Sequence, residues 1–228
     1  MEGSSVLPTA YLEIEMLYKI CVLAIIMNLI VLLLDIAGAG GGYRLVIEEY
    51  SGTITITSYS LLPIMYALLR MTFIGGLLVA FRNLGKVSPD RSRRVGFYGC
   101  IIIIIGLVVI LSVGVWIAYL RLSGALTKIV RNMHALQHTL LTLATVLGVG
   151  KLAEVIGFFH VSYALFKLGK ELNSEIVRIG AVLLAISILV RFFASTFTIG
   201  LFSLIAEIVA WGLVGEGFAS RLGFVRLT

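Results

Sequence analysis

Apolar stretches long enough to cross a lipid bilayer recur along the whole chain. Ile20–Leu34 and Ile101–Leu111 are two of them, and others follow at short intervals. A helix needs about 20 mainly apolar residues to span the hydrocarbon core. The chain has 228 residues, of which 60% are apolar and 13% charged, too little polar surface for a soluble domain. The sequence therefore predicts one all-α transmembrane bundle of about six helices, with no room for a separate soluble catalytic domain.

The apolar segments and the turn residues between them set the predicted boundaries. Two β-prone runs at 43–50 and 53–58 flank Ser51-Gly52, which predicts a small β-hairpin on the membrane surface in the first outer loop. A segment with apolar residues at helical spacing and basic residues between them, 121–138, predicts a helix lying in the membrane interface. The spanning helices are predicted at 17–37, 59–81, 96–120, 139–166, 179–197 and 200–220.

The distribution of Lys and Arg predicts the orientation. With the N-terminus inside, the cytoplasmic segments hold eleven of these residues, five of them in the basic segment 82–94, and the outer segments hold four. Cytoplasmic loops of membrane proteins carry the excess of positive charge. We therefore expect a protein of the cell membrane with both termini in the cytoplasm, although the basic residues within 121–138 weaken the bias.

A short pattern occurs twice at a constant offset of 84 residues. Leu84-Gly85-Lys86 returns as Leu168-Gly169-Lys170, and Arg94 and Gly96 return as Arg178 and Gly180. The offset is consistent with a parallel duplication in which helices 2 and 3 correspond to helices 4 and 5. Chance matches in so simple a sequence are the alternative.

Ionisable residues within the predicted helices are the candidate functional residues. Arg70, Lys151 and Glu154 fall near the middle of helices 2 and 4, where a charge faces a partner or a water-filled path. We take them as candidates for a substrate or ion path, with Arg70 and Glu154 as an ion pair. Arg191 and Glu207 are shallower and form a second candidate ion pair across the last two helices. Alternatively, all five charges only fix the positions of the helices.

No pattern in the sequence predicts catalysis or a cofactor. His134 and His138 are four residues apart, but no carboxylate or cysteine nearby completes a metal site. The glycine clusters lack the residues of phosphate-binding loops. We therefore expect no enzyme activity, metal, cofactor or specific nucleic-acid contact. The expected partners are the lipid bilayer and other protein chains, through small residues at four-residue spacing. These pairs are Ala181 and Ala185, Ala206 and Ala210, and Gly215 and Ala219.

The stretch from Gly148 to Gly223, about a third of the chain, resembles small archaeal multi-pass membrane proteins of unknown function. The resemblance lies in Ile156-Gly157, Leu168-Gly169-Lys170 and Arg178-Ile179-Gly180, between glycine-interrupted aliphatic helices. It implies a membrane topology and an archaeal source, and no activity. The single glutamine and four asparagines fit a thermophile, although membrane proteins in general contain few amides.

Two functions stay open. A small carrier, or the substrate-binding subunit of a transporter, predicts a polar cavity bounded by Arg70, Lys151 and Glu154. A membrane-embedded subunit of a secretion, pilus or DNA-import assembly predicts charges that are paired, with no cavity. An intramembrane enzyme would need a nucleophile and a base at the same depth, and the sequence places no such pair in register.

Overall fold

Six long α-helices dominate the described part of the chain. The computed structural model describes residues 6–36, 46–50, 53–57, 61–87, 90–125, 129, 132–193 and 197–227. Each of the six helices contains an apolar stretch long enough to cross a bilayer, which fits a multi-pass membrane protein. They are α1 (Val6–Ile36), α2 (Leu61–Val87), α3 (Arg91–Leu122), α4 (Met133–Glu171), α5 (Glu175–Phe193) and α6 (Phe197–Leu227).

Two short strands lie between α1 and α2 in the chain. They are β1 (Val46–Tyr50) and β2 (Thr53–Thr57), and they pair antiparallel with Val46 opposite Thr57. Residues 51–52, where the turn is expected, lie outside the described residues. A hairpin that rests on the membrane surface therefore stays a prediction.

The helices form a ring in chain order. Among the described residues, each helix packs against its neighbours in the sequence, and α6 closes the ring by packing against α1. Neighbouring helices run in opposite directions, so α2, α4 and α6 run parallel and meet across the interior through side chains. We call the end of the ring where α2 and α6 begin the upper end, and the end where they finish the lower end. Val6 and Leu227 both lie toward the lower end.

Most helices extend past the boundaries expected from hydropathy. The expected loop at 82–94 is largely helical, because α2 continues to Val87 and α3 begins at Arg91. Of the expected interfacial helix at 121–138, residues 121–122 belong to α3 and residues 133–138 to α4. Residues 125 and 129 between them are helical, and 126–128 and 130–131 lie outside the described residues, so the interfacial helix stays a prediction. Apolar residues mark only the part of a helix inside the hydrocarbon. Outside it, Lys, Arg and Glu are good helix formers, and the helix continues.

Hydrogen bonds at the lower end define the turn between α4 and α5. The amide of Ser174 donates to Gly169 O at 2.8 Å, and the amide of Val177 donates to Ser174 Oγ at 3.4 Å. Asn173 has a φ of 51°, in the left-handed region that asparagine tolerates better than most residues. The turn therefore ends one helix and caps the next within three residues.

The turn between α2 and α3 is tied to the end of α4. Ser92 Oγ donates to Asp90 Oδ2, and this hydrogen bond lowers the pKa of the Asp90 carboxyl. Arg93 Nη1 donates to Leu84 O at 3.2 Å, and Arg93 Nη2 lies 2.9 Å from Glu171 Oε2. Three helices are joined here by side chains close to the ends of the membrane spans.

Glycines bring α3 and α4 into backbone contact at two levels. A Cβ atom on Gly157 would lie 2.6 Å from Gly99 O, and one on Gly106 would lie 2.6 Å from Gly150 O. Both pairs are seven residues apart along their helix, which places them on the same face. Only glycine allows this approach, because a side chain there would overlap the opposite backbone. We call these two contacts the glycine seam.

Aromatic side chains fill the interior of the ring below its middle. The ring centroid of Phe73 on α2 lies 6.5 Å from that of Phe158 on α4 and 5.8 Å from that of Trp211 on α6. All three side chains are buried, and we call them the aromatic layer. Burial decreases toward the upper end, where none of residues 133–149 of α4 is buried.

Candidate functional site

Polar side chains from five helices meet in the ring interior directly above the aromatic layer. Arg70 of α2 is at the centre, with Nη1 3.0 Å from Glu154 Oε1 on α4 and Nη2 2.6 Å from Glu207 Oε2 on α6. One guanidinium thus joins three helices whose backbones do not touch. We call the group the ionic network. Its described members are Asn28, Tyr66, Arg70, Lys151, Glu154, Arg191 and Glu207.

The carboxylate of Glu154 contacts three groups. Tyr66 Oη donates to Oε1 at 2.9 Å, and Lys151 Nζ lies 2.9 Å from Oε2. Arg70 Nη1 is within ion-pair distance of Oε1, although its N–H is not aligned as a hydrogen bond. Lys151 and Glu154 are three residues apart and therefore lie on one face of α4.

The carboxylate of Glu207 is held by a matching set of groups. Arg70 Nη2 contacts both oxygens, at 2.8 and 2.6 Å, and Asn28 Nδ2 lies 3.4 Å from Oε1. Arg191 Nη1 lies 3.2 Å from Oε2. Each carboxylate therefore has Arg70, one uncharged donor and one further cation. Such pairing is what a buried charge in a membrane requires, because an uncompensated one is costly.

The ring of Tyr66 is surrounded by the three cations of the network. Lys151 Nζ lies 4.6 Å from its centroid, and the Cζ atoms of Arg70 and Arg191 each lie 5.1 Å from it. Cations within about 6 Å of an aromatic centroid are attracted by the ring electrons. Tyr66 was not among the residues selected from the sequence, because an aromatic residue in an apolar helix gives no distinguishing signal.

The sequence predicted that Arg70 and Glu154 lie deeper in the membrane than Arg191 and Glu207, but the ionic network contains all four. Arg70 is nine residues from the start of α2, and Glu207 is ten from the start of α6. At a rise of 1.5 Å per residue these are depths of about 14 and 15 Å. Because α2 continues to Val87, Arg70 lies in its upper half and is level with Glu207. The pairs at 70 and 154 and at 191 and 207 thus belong to one site.

Access to the ionic network differs between its charged members. The side chains of Arg70, Glu154 and Glu207 are 2%, 6% and 0% exposed, whereas those of Lys151 and Arg191 are 29% and 21% exposed. The two partly exposed charges are thus both cations. The aromatic layer fills the interior on the lower side of the network.

The other residues selected from the sequence lie apart from this network. His134 and His138 are exposed in the first turns of α4. Of the small-residue pairs, Ala181 and Ala210 are buried between α5 and α6, where a Cβ on Gly180 would lie 2.9 Å from Ala210 O. Among the described residues, the closest approaches to an opposite backbone involve glycines at seven-residue spacing instead, as the glycine seam shows.

We expect Tyr66→Phe to lower the free energy of unfolding by about 1.5–3 kcal/mol, the usual contribution of a hydrogen bond to a charged group. The substitution removes the hydroxyl that contacts Glu154 and keeps the ring that faces the three cations. Chemical unfolding in detergent measures the change. Tyr163→Phe is the control, because Tyr163 is half exposed on the outer face of α4, and its effect should be below about 0.5 kcal/mol. Equal effects would show that the Tyr66 hydroxyl is not a structural donor.

Comparison with protein-family models, with curated proteins and with solved structures finds no match to the chain. The ionic network is therefore the feature of the molecule that bears on its function.

Proposed function

We propose that this chain is a small membrane carrier, or the substrate-binding subunit of a transporter, and that the ionic network is its binding site. The observation that carries the proposal is the layered interior of the ring. Charged groups lie on its axis, two of them partly exposed, and the aromatic layer closes the interior beneath them. A charged site at mid-depth in the helix bundle, with an apolar layer on one side of it, is the place where carriers of this kind bind their substrate.

The energetics of buried charge support the same function. Burying ion pairs adds little net stability compared with well-packed apolar residues, so five charged side chains are a poor way only to hold helices together. Ionisable residues within membrane spans more often mark substrate or proton paths. Arg70, Lys151 and Glu154 would line this path, and Arg191 and Glu207 would complete it.

The proposal includes an orientation in the membrane and an internal duplication. The excess of Lys and Arg near the lower end supports placing that end in the cytoplasm of the cell, with both termini. A duplication is supported by helix boundaries at the same offset of 84 residues: α2 and α4 end at Val87 and Glu171, and α3 and α5 begin at Arg91 and Glu175.

A second candidate, a membrane-embedded subunit of a larger assembly, is favoured by two observations. Every charge of the ionic network has a partner, as that function predicts. Residues 133–149 of α4 include no buried residue and span about 25 Å, an apolar surface that another chain could cover.

Native mass spectrometry of the protein, extracted from its own membranes in mild detergent, separates the two functions. A carrier is expected as a monomer or homo-oligomer that retains a small molecule. Lys151→Met should remove that molecule, and Lys167→Met, at the lower end of the same helix and outside the ionic network, should not. A stable complex with other protein chains would rule out the stand-alone carrier, and such a complex with no small molecule, or a wild-type protein with nothing bound, would contradict the proposed function.

A further inference from the structure

The two exposed cations of the ionic network face the same aromatic ring. Lys151 Nζ lies 4.6 Å and Arg191 Cζ 5.1 Å from the centroid of Tyr66. The two cationic groups can therefore be no further apart than the sum of these distances, which a small anion with two acceptor groups can bridge. They project from α4 and α5, two neighbouring helices of the ring.

Arg191 keeps donors available for a further acceptor. A guanidinium carries five N–H groups in a planar fork that matches carboxylate and phosphate oxygens. Among the described residues, the hydrogen bond of Arg191 is the one from Nη1 to Glu207 Oε2, at 3.2 Å. The remaining N–H groups can bind an incoming anion without breaking that contact.

Arg70 is buried and can hold both carboxylates when Lys151 and Arg191, which are partly exposed, let go of them. Without Lys151, Glu154 would still contact Arg70 and Tyr66. Without Arg191, Glu207 would still contact Arg70 at both oxygens, and Asn28. An anion that drew Lys151 and Arg191 toward itself would therefore leave no carboxylate unpaired, which removes the main cost of rearranging buried charges.

We propose that Lys151 and Arg191, which both lie close to the ring of Tyr66, form a binding site for an anion with carboxylate or phosphate groups. This inference rests on the proposed carrier function and names its substrate class. The anion takes the place of the Glu154 carboxylate as the partner of Lys151. Arg70 keeps its contacts with Glu154 and Glu207 while the anion is bound. Two sources carry this chemistry, a soluble organic or phosphate anion and the headgroup of an anionic lipid.

Thermal unfolding of the full chain in phosphatidylcholine nanodiscs tests the site. The soluble probes are succinate and inorganic phosphate, each compared with sodium chloride at equal ionic strength. The lipid probe is phosphatidylglycerol, added to the nanodiscs in place of part of the phosphatidylcholine. We expect at least one probe to raise the melting temperature in a saturable way. Lys151→Met and Arg191→Met should each weaken its apparent affinity at least tenfold.

Lys167→Met is the matched control. Lys167 is also on α4 and also lies over a tyrosine, with Nζ 5.7 Å from the centroid of Tyr163, but it is toward the lower end and outside the ionic network. Its variant should bind the probe as the wild type does. An equal loss in this variant would show nonspecific attraction of anions and would overturn the proposal.

The outcomes also separate this inference from the proposed function. A response to succinate or phosphate identifies a soluble anion, and a response to phosphatidylglycerol alone identifies a lipid headgroup. No response of the wild-type protein to any probe overturns the anion site, whether or not the variants fold. If native mass spectrometry still finds a bound neutral or cationic molecule, the carrier function survives that failure.

Discussion

Arg70→Met should lower the free energy of unfolding by about 3–5 kcal/mol, the usual cost of removing one partner from a buried ion pair. Arg70 is 1% exposed and contacts both buried carboxylates of the ionic network. Methionine fills much of the same volume, so the loss reports charge more than packing. Denaturation in detergent, followed by circular dichroism, measures the change.

Two further variants make this expectation specific. Arg82→Met removes an exposed arginine from the same helix and should cost less than about 0.5 kcal/mol. Combining Arg70→Met with Glu207→Gln should recover part of the lost stability, because the carboxylate that loses its two shortest contacts is then neutral. If Arg70→Met were no more damaging than Arg82→Met, the network would not be a coupled, desolvated unit.

Gly157→Ala should destabilise the fold by about 1–3 kcal/mol, the typical cost of an extra methyl in a packed interface. Its Cβ would lie 2.6 Å from Gly99 O and 2.8 Å from the amide nitrogen of Ile103, so backbone has to move. Gly148→Ala, nine residues earlier on the same helix, has nothing within 4 Å of its Cβ. That variant should be neutral or gain up to about 1 kcal/mol from alanine's helix propensity.

The same Gly→Ala change is expected to lower the free energy of unfolding at Gly157 and to leave it unchanged or raise it at Gly148. Thermal unfolding of both variants and the wild-type protein in the same detergent measures the two effects. Equal and small effects would mean that α3 and α4 are not in backbone contact, and the account of the glycine seam would then be wrong.

The sequence was a good guide to features that follow from hydropathy. Six apolar helices are recognisable because about 20 apolar residues are needed for each span, and Arg70 or Glu154 stand out because charges are rare there. The ends of α2 and α4 were set too short, since residues such as Lys86 and Glu171 continue a helix without contributing to the apolar signal.

Contacts between helices that are distant in the sequence could not be predicted in the same way. Nothing in the spacing of Arg70 and Glu207 indicates that one guanidinium reaches both α4 and α6, because that depends on the closure of the ring. The sequence does contain one signal that points to the glycine seam. Gly99 and Gly106, and likewise Gly150 and Gly157, are seven residues apart, and this spacing on two helices would indicate a close crossing.

The glycine seam has a mechanical consequence for any transport cycle. A Cβ on Gly106 would lie 3.0 Å from the amide nitrogen of Glu154, so α3 directly supports the backbone that carries this carboxylate. Contacts between backbones lose about a quarter to a half of their dispersion attraction when a gap of up to about 1 Å opens, and α3 and α4 should therefore move as one rigid body. Between α1 and α2, a Cβ on Gly76 would meet only the side chain of Ile20, at 3.3 Å. If the chain is the carrier proposed above, the ring opens between α1 and α2. A disulfide across that boundary should then stop uptake into vesicles, and one joining α3 to α4 should permit it.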